Sequence, residues 1–149
     1  MSDITITRKN YEMLKLKNQL CFPLYAAAKD VVAKYTPFLD EIGLTYTQYI
    51  AMMVLWEQGE VGVSELGGYL YLDSNTLTPL LKRLEAKGLV RRERAADGDE
   101  RAVRITLTQA GAQLREQAAE IPAKIGACLP LAKEEAETLY WLLYKLLGN

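Results

Sequence analysis

Apolar residues recur at helical spacing along most of the chain. A first helical region is predicted over about 9–35 and ends at Pro37, because proline disfavours a helical conformation in the residue before it. Thr45 or Thr47 can cap a second helix, whose residues TQYIAMMVLWEQ are apolar on nearly every side. Such a helix is expected to lie buried in the core.

Two further helical segments follow, separated by a tight connection. Ser64 is placed to cap the first, SELGGYLY, and the second runs from Ser74 to about Lys87 and stops at Gly88, a typical C-terminal cap. Pro79 removes one backbone hydrogen bond from the second segment. The pattern therefore predicts either a bend at this proline or a later start of the helix.

Two segments with alternating polar and apolar residues come next, LVRRERA and RAVRITLT. They are joined by AADGDE, in which Asp97-Gly98 is typical of a tight turn, so they predict a β-hairpin. Side chains along a strand point alternately to opposite faces. The inward set is predicted to be Val103, Ile105 and Leu107, and the outward set Arg104 and Thr106.

Helical spacing returns after the hairpin. Thr108 can cap a long helix that continues to about Cys128, and a final apolar helix, ETLYWLLYKLL, follows Pro130. The order helix, helix, turn, helix and hairpin is typical of a winged helix-turn-helix. The predicted fold class is therefore mainly α (α+β), a winged helix-turn-helix with a two-stranded wing and with additional helices at both ends.

Length and composition favour one domain rather than two. The 149 residues are 50% hydrophobic, which is enough for one substantial core. The winged helix-turn-helix is assigned to about 45–108 of a single domain, 1–149. The helices outside it, about 9–36 and 109–149, offer more apolar surface than a small winged domain can cover, so they are predicted to form a homodimer.

Residue counts exclude several classes of site. The chain has 2 Cys and no His, so we expect no histidine-based triad, no zinc site and no metal or other cofactor. No apolar run approaches the roughly 20 residues that span a bilayer, and the first residues lack the apolar segment of a signal peptide. A cytoplasmic protein without a membrane partner is therefore expected.

Positive charge is concentrated between positions 82 and 104, although the whole chain has a net charge of -1. That segment carries an excess of three positive charges, which suits DNA phosphates, although a solvated charged face would show the same pattern. The preceding helix begins with short hydrogen-bonding side chains suited to base edges and phosphates. The predicted DNA-contacting residues are Ser74, Asn75, Thr76, Thr78, Lys82, Arg83 and Arg94.

A long ordered match supports this interpretation. The residues VSELGGYLYLDSNTLTPLLKRLEAKGLVRRER, followed by DGDERAVRITLTQAGAQL, resemble the MarR (multiple antibiotic resistance repressor) family of winged-helix regulators, and the resemblance covers essentially the whole chain. It implies a symmetric dimer whose recognition helices enter successive major grooves, about 34 Å apart, of a pseudo-palindromic double-stranded operator. The wing tip would reach the minor groove, with Arg101 inserted and Asp99 orienting it.

Cys21 is the candidate for redox chemistry, although a lone cysteine is more often a small buried apolar residue. It lies close to a helix start, whether Asn18 is the cap or Pro23 takes the first helical position, and free N–H groups there favour a thiolate. A thiolate converts a peroxide to an alcohol and becomes a sulfenic acid, for which Cys128 is the candidate resolving thiol. Tyr25, one turn on, shares the helix face and adds a hydroxyl donor.

The segment NQLCFPLY, then Tyr35, then GLTYTQY with Tyr46, resembles the organic hydroperoxide resistance regulators within the MarR family. The resemblance implies that Cys21 is the peroxidatic cysteine, that an organic hydroperoxide is the inducer, and that the two tyrosines hydrogen-bond the sulfur. Cys128 looks like the resolving cysteine of the two-cysteine subtype, with a disulfide to the other subunit. Along one straight helix Tyr35 would be about 21 Å from Cys21, so a partner helix or a fold-back must join them.

Three functions remain open at this stage. The first is a repressor released from its operator by oxidation of Cys21, and the second is a repressor released by a small phenolic or apolar ligand. For the tyrosines, the alternative to contacting the sulfur is simple packing in the core or the interface. The third is a thiol peroxidase, which the basic wing and the lack of histidine disfavour, so we do not expect an enzyme. Release from DNA by a ligand under full reduction would favour the second.

Overall fold

The computed structural model describes residues 11–94 and 103–149. Within these ranges seven α-helices and three short strands follow two 3-10 turns, Glu12–Leu14 and Leu16–Asn18. The helices are α1 (Cys21–Asp40), α2 (Tyr46–Gln58), α3 (Val63–Leu70), α4 (Ser74–Ala86), α5 (Gln109–Ala118), α6 (Ile121–Cys128) and α7 (Lys133–Leu146). The strands are β1 (Glu60–Gly62), β2 (Val90–Arg94) and β3 (Val103–Leu107). The order of these elements confirms the predicted winged helix-turn-helix.

The three strands form one antiparallel sheet in the order β1-β3-β2. The sequence predicts the hairpin of β2 and β3, but not β1, which pairs Val61 with Ile105 on the other side of β3. The two-stranded wing is therefore corrected to part of a three-stranded sheet. A strand of three residues is too short to show alternation, so no periodic signal marks it.

The predicted faces of β3 are confirmed where the sheet meets the core. Ile105 is fully buried, and Val103 and Leu107 pack against the core cluster. Arg104, predicted to face outward, forms an ion pair with Glu60 of β1 at 3.1 Å. The alternation of β3 thus separates an apolar face from a face that carries charge.

Apolar side chains of α2, α3, α4 and the sheet meet in one core, which α1 and α6 extend. Burying each such side chain contributes roughly 1.5–3 kcal/mol relative to leaving it in water. The largest fully buried residues are Leu39, Met52, Leu55, Val61, Leu66, Leu77, Leu81, Leu84, Val90 and Ile105. Five of these lie on α2 and α4, so the predicted burial of α2 is confirmed and α4 is held firmly on the core.

The first helix differs from its prediction at both ends. The described residues before Cys21 form 3-10 turns, and Pro23 lies in the first turn of α1, where a backbone N–H would have no helical partner. The prediction that Pro37 ends the helix is wrong, because α1 continues for three more residues. One of these is Leu39, whose burial against the core offsets the lost hydrogen bond.

Thr45 caps α2, which decides between the two threonines considered from the sequence. Its hydroxyl accepts a hydrogen bond from the backbone N–H of Gln48 at 3.3 Å. In return the side-chain oxygen of Gln48 accepts from the backbone N–H of Thr45 at 3.1 Å. This reciprocal capping box satisfies two N–H groups that a helix end otherwise leaves unpaired.

The starts of the next two helices are also resolved. Gly62 rather than Ser64 is the N-cap of α3, so that predicted cap is wrong: β1 runs directly into the helix. α4 begins at Ser74 and contains Pro79, so the later start considered for this proline is wrong as well. Its N-cap is Asp73, whose carboxylate accepts from the backbone N–H of Thr76 at 2.9 Å, and this bond supports the early start.

The predicted long helix after the wing is two helices. Thr108 caps α5 as expected, accepting from the backbone N–H of Gly111 at 3.0 Å. The prediction that one helix continues to Cys128 is wrong, because the chain breaks between α5 and α6. Pro122 in the first turn of α6 lacks the N–H that would continue the hydrogen bonds of α5.

The start of α5 is docked closely on the wing base and α2. A Cβ atom on Gly111 would lie 2.0 Å from the carbonyl oxygen of Leu89, so only glycine fits there. The indole N–H of Trp56 donates to the carbonyl of Gly111 at 2.8 Å, and the hydroxyl of Thr108 donates to the carbonyl of Gly88 at 2.6 Å. The end of α4, the wing base and α5 therefore pack as one unit.

The apolar residues of the outer helices are largely uncovered. No residue of α7 is buried, and Trp141 is 70% exposed. On α1 only Leu39 is buried. In the part of the chain that the structure describes, no helix has the length and apolar character needed to cross a membrane.

Candidate DNA interface and thiol site

α4 carries most of the residues predicted to contact DNA. Leucines recur along it every three or four positions and face the core, namely Leu77, Leu80, Leu81 and Leu84. The exposed positions include all six predicted residues of this helix, Ser74, Asn75, Thr76, Thr78, Lys82 and Arg83. One amphipathic helix thus combines an anchoring apolar face with a polar face open to a ligand.

Hydrogen bonds in the first turn of α4 show which of these polar groups are free. The hydroxyl of Thr78 donates to the carbonyl of Ser74 at 2.8 Å, so its proton is already engaged. Within the described residues, the side chains of Ser74, Asn75 and Thr76 make no hydrogen bond. These three side chains can therefore bind an external partner without breaking an internal contact.

Apart from Lys87, which donates to Gly43 and Gln48, the described basic side chains of the segment between positions 82 and 104 fall into two groups. Arg92 pairs with Glu85 at 3.3 Å, and Arg104 pairs with Glu60 at 3.1 Å. Among the described residues, no ion pair involves the exposed side chains of the second group, Lys82, Arg83, Arg91 and Arg94. Arg91 is not among the predicted contacts, although its position in the basic segment could have identified it.

Two predicted contacts at the wing tip, Asp99 and Arg101, lie outside the described residues. Arg94, which ends β2, is the nearest predicted contact before them that the structure describes, and it is exposed. The roles of Asp99 and Arg101 therefore stay predictions.

Cys21 is the first residue of α1, and its thiol is free and exposed. Neither of the two helix starts considered from the sequence is observed, because Leu20 is the N-cap of α1. The side chain of Asn18 donates instead to the carbonyl of Glu12 at 2.7 Å. Among the described residues, no side chain caps the first N–H groups of α1, and such groups favour nearby negative charge. The predicted placement of Cys21 at a helix start is confirmed.

Tyr25 lies one turn after Cys21 on the same exposed stretch of α1. The ammonium of Lys29 lies 5.3 Å from the centroid of its ring. No hydrogen bond joins Tyr25 to Cys21 in the described part of the chain. The predicted donor is therefore near Cys21 in sequence but not bonded to it.

Tyr35 of α1 and Tyr46 of α2 come together, with ring centroids 5.0 Å apart. Burial raises the pKa of both phenols above the usual 10.0, and for Tyr35 repulsion from Tyr46 adds to the effect. Both hydroxyls therefore stay protonated at neutral pH and can donate hydrogen bonds. Tyr49, one turn after Tyr46, completes the cluster at 5.7 Å from Tyr35. Tyr49 is not among the predicted site residues, although its spacing by three from Tyr46 on a helix is a usable signal.

Cys128 ends α6 and is also a free, exposed thiol. α6 packs against the C-terminal half of α1, where the ammonium of Lys124 lies 5.7 Å from the ring centroid of Phe38. Cys128 follows Lys124 by one helical turn, whereas Cys21 is about 26 Å from Phe38 along the axis of α1. Within one chain, Cys128 and the tyrosine cluster therefore lie toward one end of α1 and Cys21 lies at the other.

Comparisons with known proteins identify the family. A family model for the transcriptional regulator SarA/Rot matches residues 33–118, more than half of the chain. The chain is 47% identical over 140 residues to the organic hydroperoxide resistance transcriptional regulator of Bacillus subtilis (strain 168), covering 92% of each. It is 40% identical over 124 residues to the transcriptional regulator SarZ of Staphylococcus aureus (strain USA300), covering 83% of each.

Solved structures agree with this assignment. Reduced AbfR bound to DNA matches with a TM-score of 0.77 and 39% identity over 92% of this chain and 93% of that one. Overoxidised AbfR bound to DNA also matches, with a TM-score of 0.76 and 39% identity over 92% of this chain and 96% of that one. Disulfide-formed AbfR matches with a TM-score of 0.65 and 40% identity over 91% of this chain and 95% of that one. NadR in complex with 4-hydroxyphenylacetate matches at 0.68, with 28% identity and coverage of 86% and 92%. The chain therefore belongs to the MarR-type winged-helix transcriptional regulators, in the group of the organic hydroperoxide resistance regulators, and is a DNA-binding protein rather than an enzyme.

Proposed function

We propose that this chain is a homodimeric repressor that binds its operator when reduced and releases it when an organic hydroperoxide oxidises Cys21. The main support for the proposal is that the groups of the thiol site are separated along α1. Cys21 begins the helix, whereas Tyr35, Tyr46 and Cys128 lie toward its other end. One chain cannot assemble these groups, but two copies related by a two-fold axis can, with the start of one α1 against the end of the other.

The exposed apolar side chains supply a surface for that dimer. Large apolar residues are uncovered around the start of α1 and along α7, namely Leu14, Leu16, Leu20, Phe22, Leu24, Leu139, Tyr140, Trp141, Leu142 and Leu146. Soluble monomers rarely expose large contiguous apolar patches. Because Cys21 lies within the first of these stretches, association there would bring it against the second subunit.

The proposed chemistry uses two thiols and one hydroperoxide. The Cys21 thiolate attacks a peroxide oxygen, the O–O bond breaks, and the alcohol leaves with a proton while the sulfur becomes a sulfenic acid. The partner's Cys128 then attacks that sulfur, so that a disulfide forms and water leaves. The partner's Tyr35 and the partner's Tyr46 would donate hydrogen bonds to the reacting sulfur, since the raised pKa of each phenol keeps it protonated.

Release requires that the oxidised dimer binds DNA more weakly than the reduced one, and each tenfold weakening corresponds to about 1.4 kcal/mol. AbfR is found on DNA in its overoxidised form as well as in its reduced form. That observation supports the disulfide, rather than oxidation of one sulfur alone, as the releasing state. A disulfide between subunits would shift the two winged domains and break the spacing that two half-sites require.

The DNA contacts follow from the exposed groups of α4 and the wing. Ser74, Asn75 and Thr76 have free side chains and are proposed to read base edges. The residues proposed to bind phosphates are Thr78, Lys82, Arg83, Arg91 and Arg94. Arg101, oriented by Asp99, is proposed to enter the flanking minor groove.

Two serine variants test the thiol mechanism in operator titrations with and without tert-butyl hydroperoxide. Cys21→Ser is expected to bind the operator and to ignore the peroxide, because no sulfenic acid forms. Cys128→Ser is expected to oxidise at Cys21 and to proceed to sulfinic acid, without the covalent dimer that wild type shows on a non-reducing gel. Peroxide-induced release in Cys21→Ser, or a covalent dimer in Cys128→Ser, would contradict the two-cysteine mechanism.

A second candidate is a repressor released by a small phenolic or apolar ligand. The likeness to NadR, which was solved with 4-hydroxyphenylacetate, favours it. Control by a ligand needs no thiol, so Cys21→Ser separates the two functions. Release of this variant by 4-hydroxyphenylacetate under full reduction would support ligand control. Release of wild type by hydroperoxide alone would support thiol control.

A further inference from the structure

Lys87 fastens the end of α4 to the turn between α1 and α2. It is the C-cap residue of α4, and its ammonium donates to the side-chain oxygen of Gln48 at 2.9 Å and to the carbonyl of Gly43. Within the described residues it forms no ion pair. Although Lys87 belongs to the basic segment, its charge is directed at the protein rather than outward at a phosphate.

The acceptor of this contact is also part of the cap of α2. Gln48 is only 3% exposed and closes the capping box with Thr45. Its side-chain oxygen accepts from the backbone N–H of Thr45 at 3.1 Å and from Lys87 at 2.9 Å. An amide oxygen has two lone pairs, so both are used. The cap of α2 and the anchor of α4 therefore depend on the same atom.

The tyrosine cluster is attached to the same turn of helix. Tyr46 is the first residue of α2, and Tyr49 directly follows Gln48. Their rings lie 5.0 Å and 5.7 Å from that of Tyr35, centroid to centroid. A displacement of these rings therefore moves the first turn of α2 and, with it, the oxygen that holds Lys87.

The contact is of a kind that can open and close. The acceptors of Lys87 are a neutral amide and a carbonyl, so its departure leaves no unpaired buried carboxylate. Because Lys87 is exposed, water can solvate its ammonium group when the contact opens. The anchor is bound as observed and can also adopt a second, hydrated arrangement. Elements with two such arrangements are what transmits a change between distant sites.

We propose that Lys87 is the positioning residue that couples the tyrosine cluster to the recognition helix α4. The coupling rests on the thiol mechanism proposed above. Formation of the disulfide between the partner's Cys21 and Cys128 displaces Tyr46, the first turn of α2 shifts, and Lys87 loses Gln48 and Gly43. The C-terminal end of α4 then loses its anchor on α2, and its polar face no longer keeps the angle that the major groove requires.

The test compares two methionine variants of the full-length dimer, Lys87→Met and Lys82→Met. Methionine keeps much of the apolar stem and removes the donors. Operator Kd is measured before and after tert-butyl hydroperoxide, with Cys21 oxidation quantified by mass spectrometry. In Lys87→Met, Cys21 should oxidise as in wild type, while the ratio of oxidised to reduced Kd falls by about 2- to 30-fold. Lys82→Met should weaken both forms and leave that ratio unchanged.

Two further variants separate coupling from a general loss of stability. Lys87→Arg keeps a cationic donor and should restore most of the ratio. Gln48→Met should lower the ratio of oxidised to reduced Kd. Combined with Lys87→Met it should lower the ratio no further, because both changes remove the same contact. If Gln48→Met does not fold, the result for Lys87→Met alone tests the coupling. A wild-type ratio in fully disulfide-linked Lys87→Met would overturn the coupling and leave the thiol mechanism standing. Wild type that keeps its affinity with the disulfide between Cys21 and Cys128 formed would overturn both.

Discussion

The winged half of the molecule and its terminal helices place similar apolar residues in opposite environments. In α2, α3, α4 and the sheet, large side chains such as Leu66 and Leu84 are fully buried. Along α7 no side chain is buried, and Trp141 and Leu142 face solvent. Apolar patterning predicts a helix in both regions, but within the described residues only the first region covers most of its large apolar side chains. The difference indicates that the apolar surface of the terminal helices is available for assembly.

The two regions also divide the proposed function. The exposed polar face of α4 is held on the closed core, so its geometry is set before any partner binds. Cys21 lies in the uncovered region, where the second subunit of the proposed dimer would complete its surroundings. In that proposal, DNA binding depends on a face of the folded core, whereas sensing depends on the interface between subunits.

Leucine truncations in the two regions should differ sharply. Leu84→Ala leaves a cavity in the core and should lower the free energy of unfolding by about 2–5 kcal/mol at any protein concentration. Leu142→Ala, on the exposed α7, should act through the dimer, so its effect should depend on concentration. Urea unfolding at two protein concentrations measures both. Equal, concentration-independent losses would remove the distinction between the regions.

A charge on α7 should break the dimer without unfolding the winged half. Trp141→Asp should weaken self-association by about 2 kcal/mol or more, because a large apolar side chain at an interface is a typical hot spot. Sedimentation equilibrium measures the dissociation constant, and Lys133→Ala on the same helix is the control. A dimer as tight as wild type would place the interface elsewhere.

Loss of the wing arginine should affect DNA binding only. Arg101→Ala should weaken operator binding by about 1–3 kcal/mol and leave urea unfolding unchanged. Arg115→Ala, an exposed basic residue on α5, should have little effect on either. A gel-shift titration compares the two variants, and an unchanged affinity for Arg101→Ala would remove this residue from the interface.

The capping box should contribute more than the neighbouring threonine. Thr45→Ala removes the acceptor for the backbone N–H of Gln48 and should cost about 1 kcal/mol of stability. Thr47→Ala should change the free energy of unfolding by no more than about 0.5 kcal/mol. Thermal unfolding of both variants in the same buffer is sufficient. A larger loss for Thr47→Ala would contradict the observed cap.

The tyrosine cluster predicts a modest loss of stability in alkali. The pKa values of Tyr35, Tyr46 and Tyr49 are raised by burial in the folded protein, so folding favours the protonated phenols. Their contribution is fully present below the unfolded value of 10.0 and is lost as the pH rises through the higher folded values. Urea unfolding from about pH 9 upward should show the decline. Tyr46→Phe should make it shallower, and an equally steep decline would exclude this cause.

Local signals account for the elements that were predicted well. α4 combines leucines every three or four positions with Gly88 just beyond its end, and α5 has the threonine cap expected for it. The hairpin was recognisable from its alternation and from the Asp97-Gly98 pair, which is typical of a tight turn and lies outside the described residues. These features depend on neighbours within a few residues, which is the range over which sequence patterns carry information. Strand β1 depends on a distant partner strand and was missed. The break between α5 and α6 was missed although Pro122 is a local signal for it.

Residue type and short spacing were enough to predict the winged-helix class, the polar face of α4, the basic segment and the candidate thiols. Which groups meet depends on the tertiary structure. It places Tyr49 with Tyr35, directs Lys87 to Gln48, and separates Cys21 from Cys128 along α1. A side chain's partners come from distant parts of the chain, which local spacing does not describe. For the same reason α1 continues beyond Pro37, because burial of Leu39 stabilises the helical residues that follow the proline.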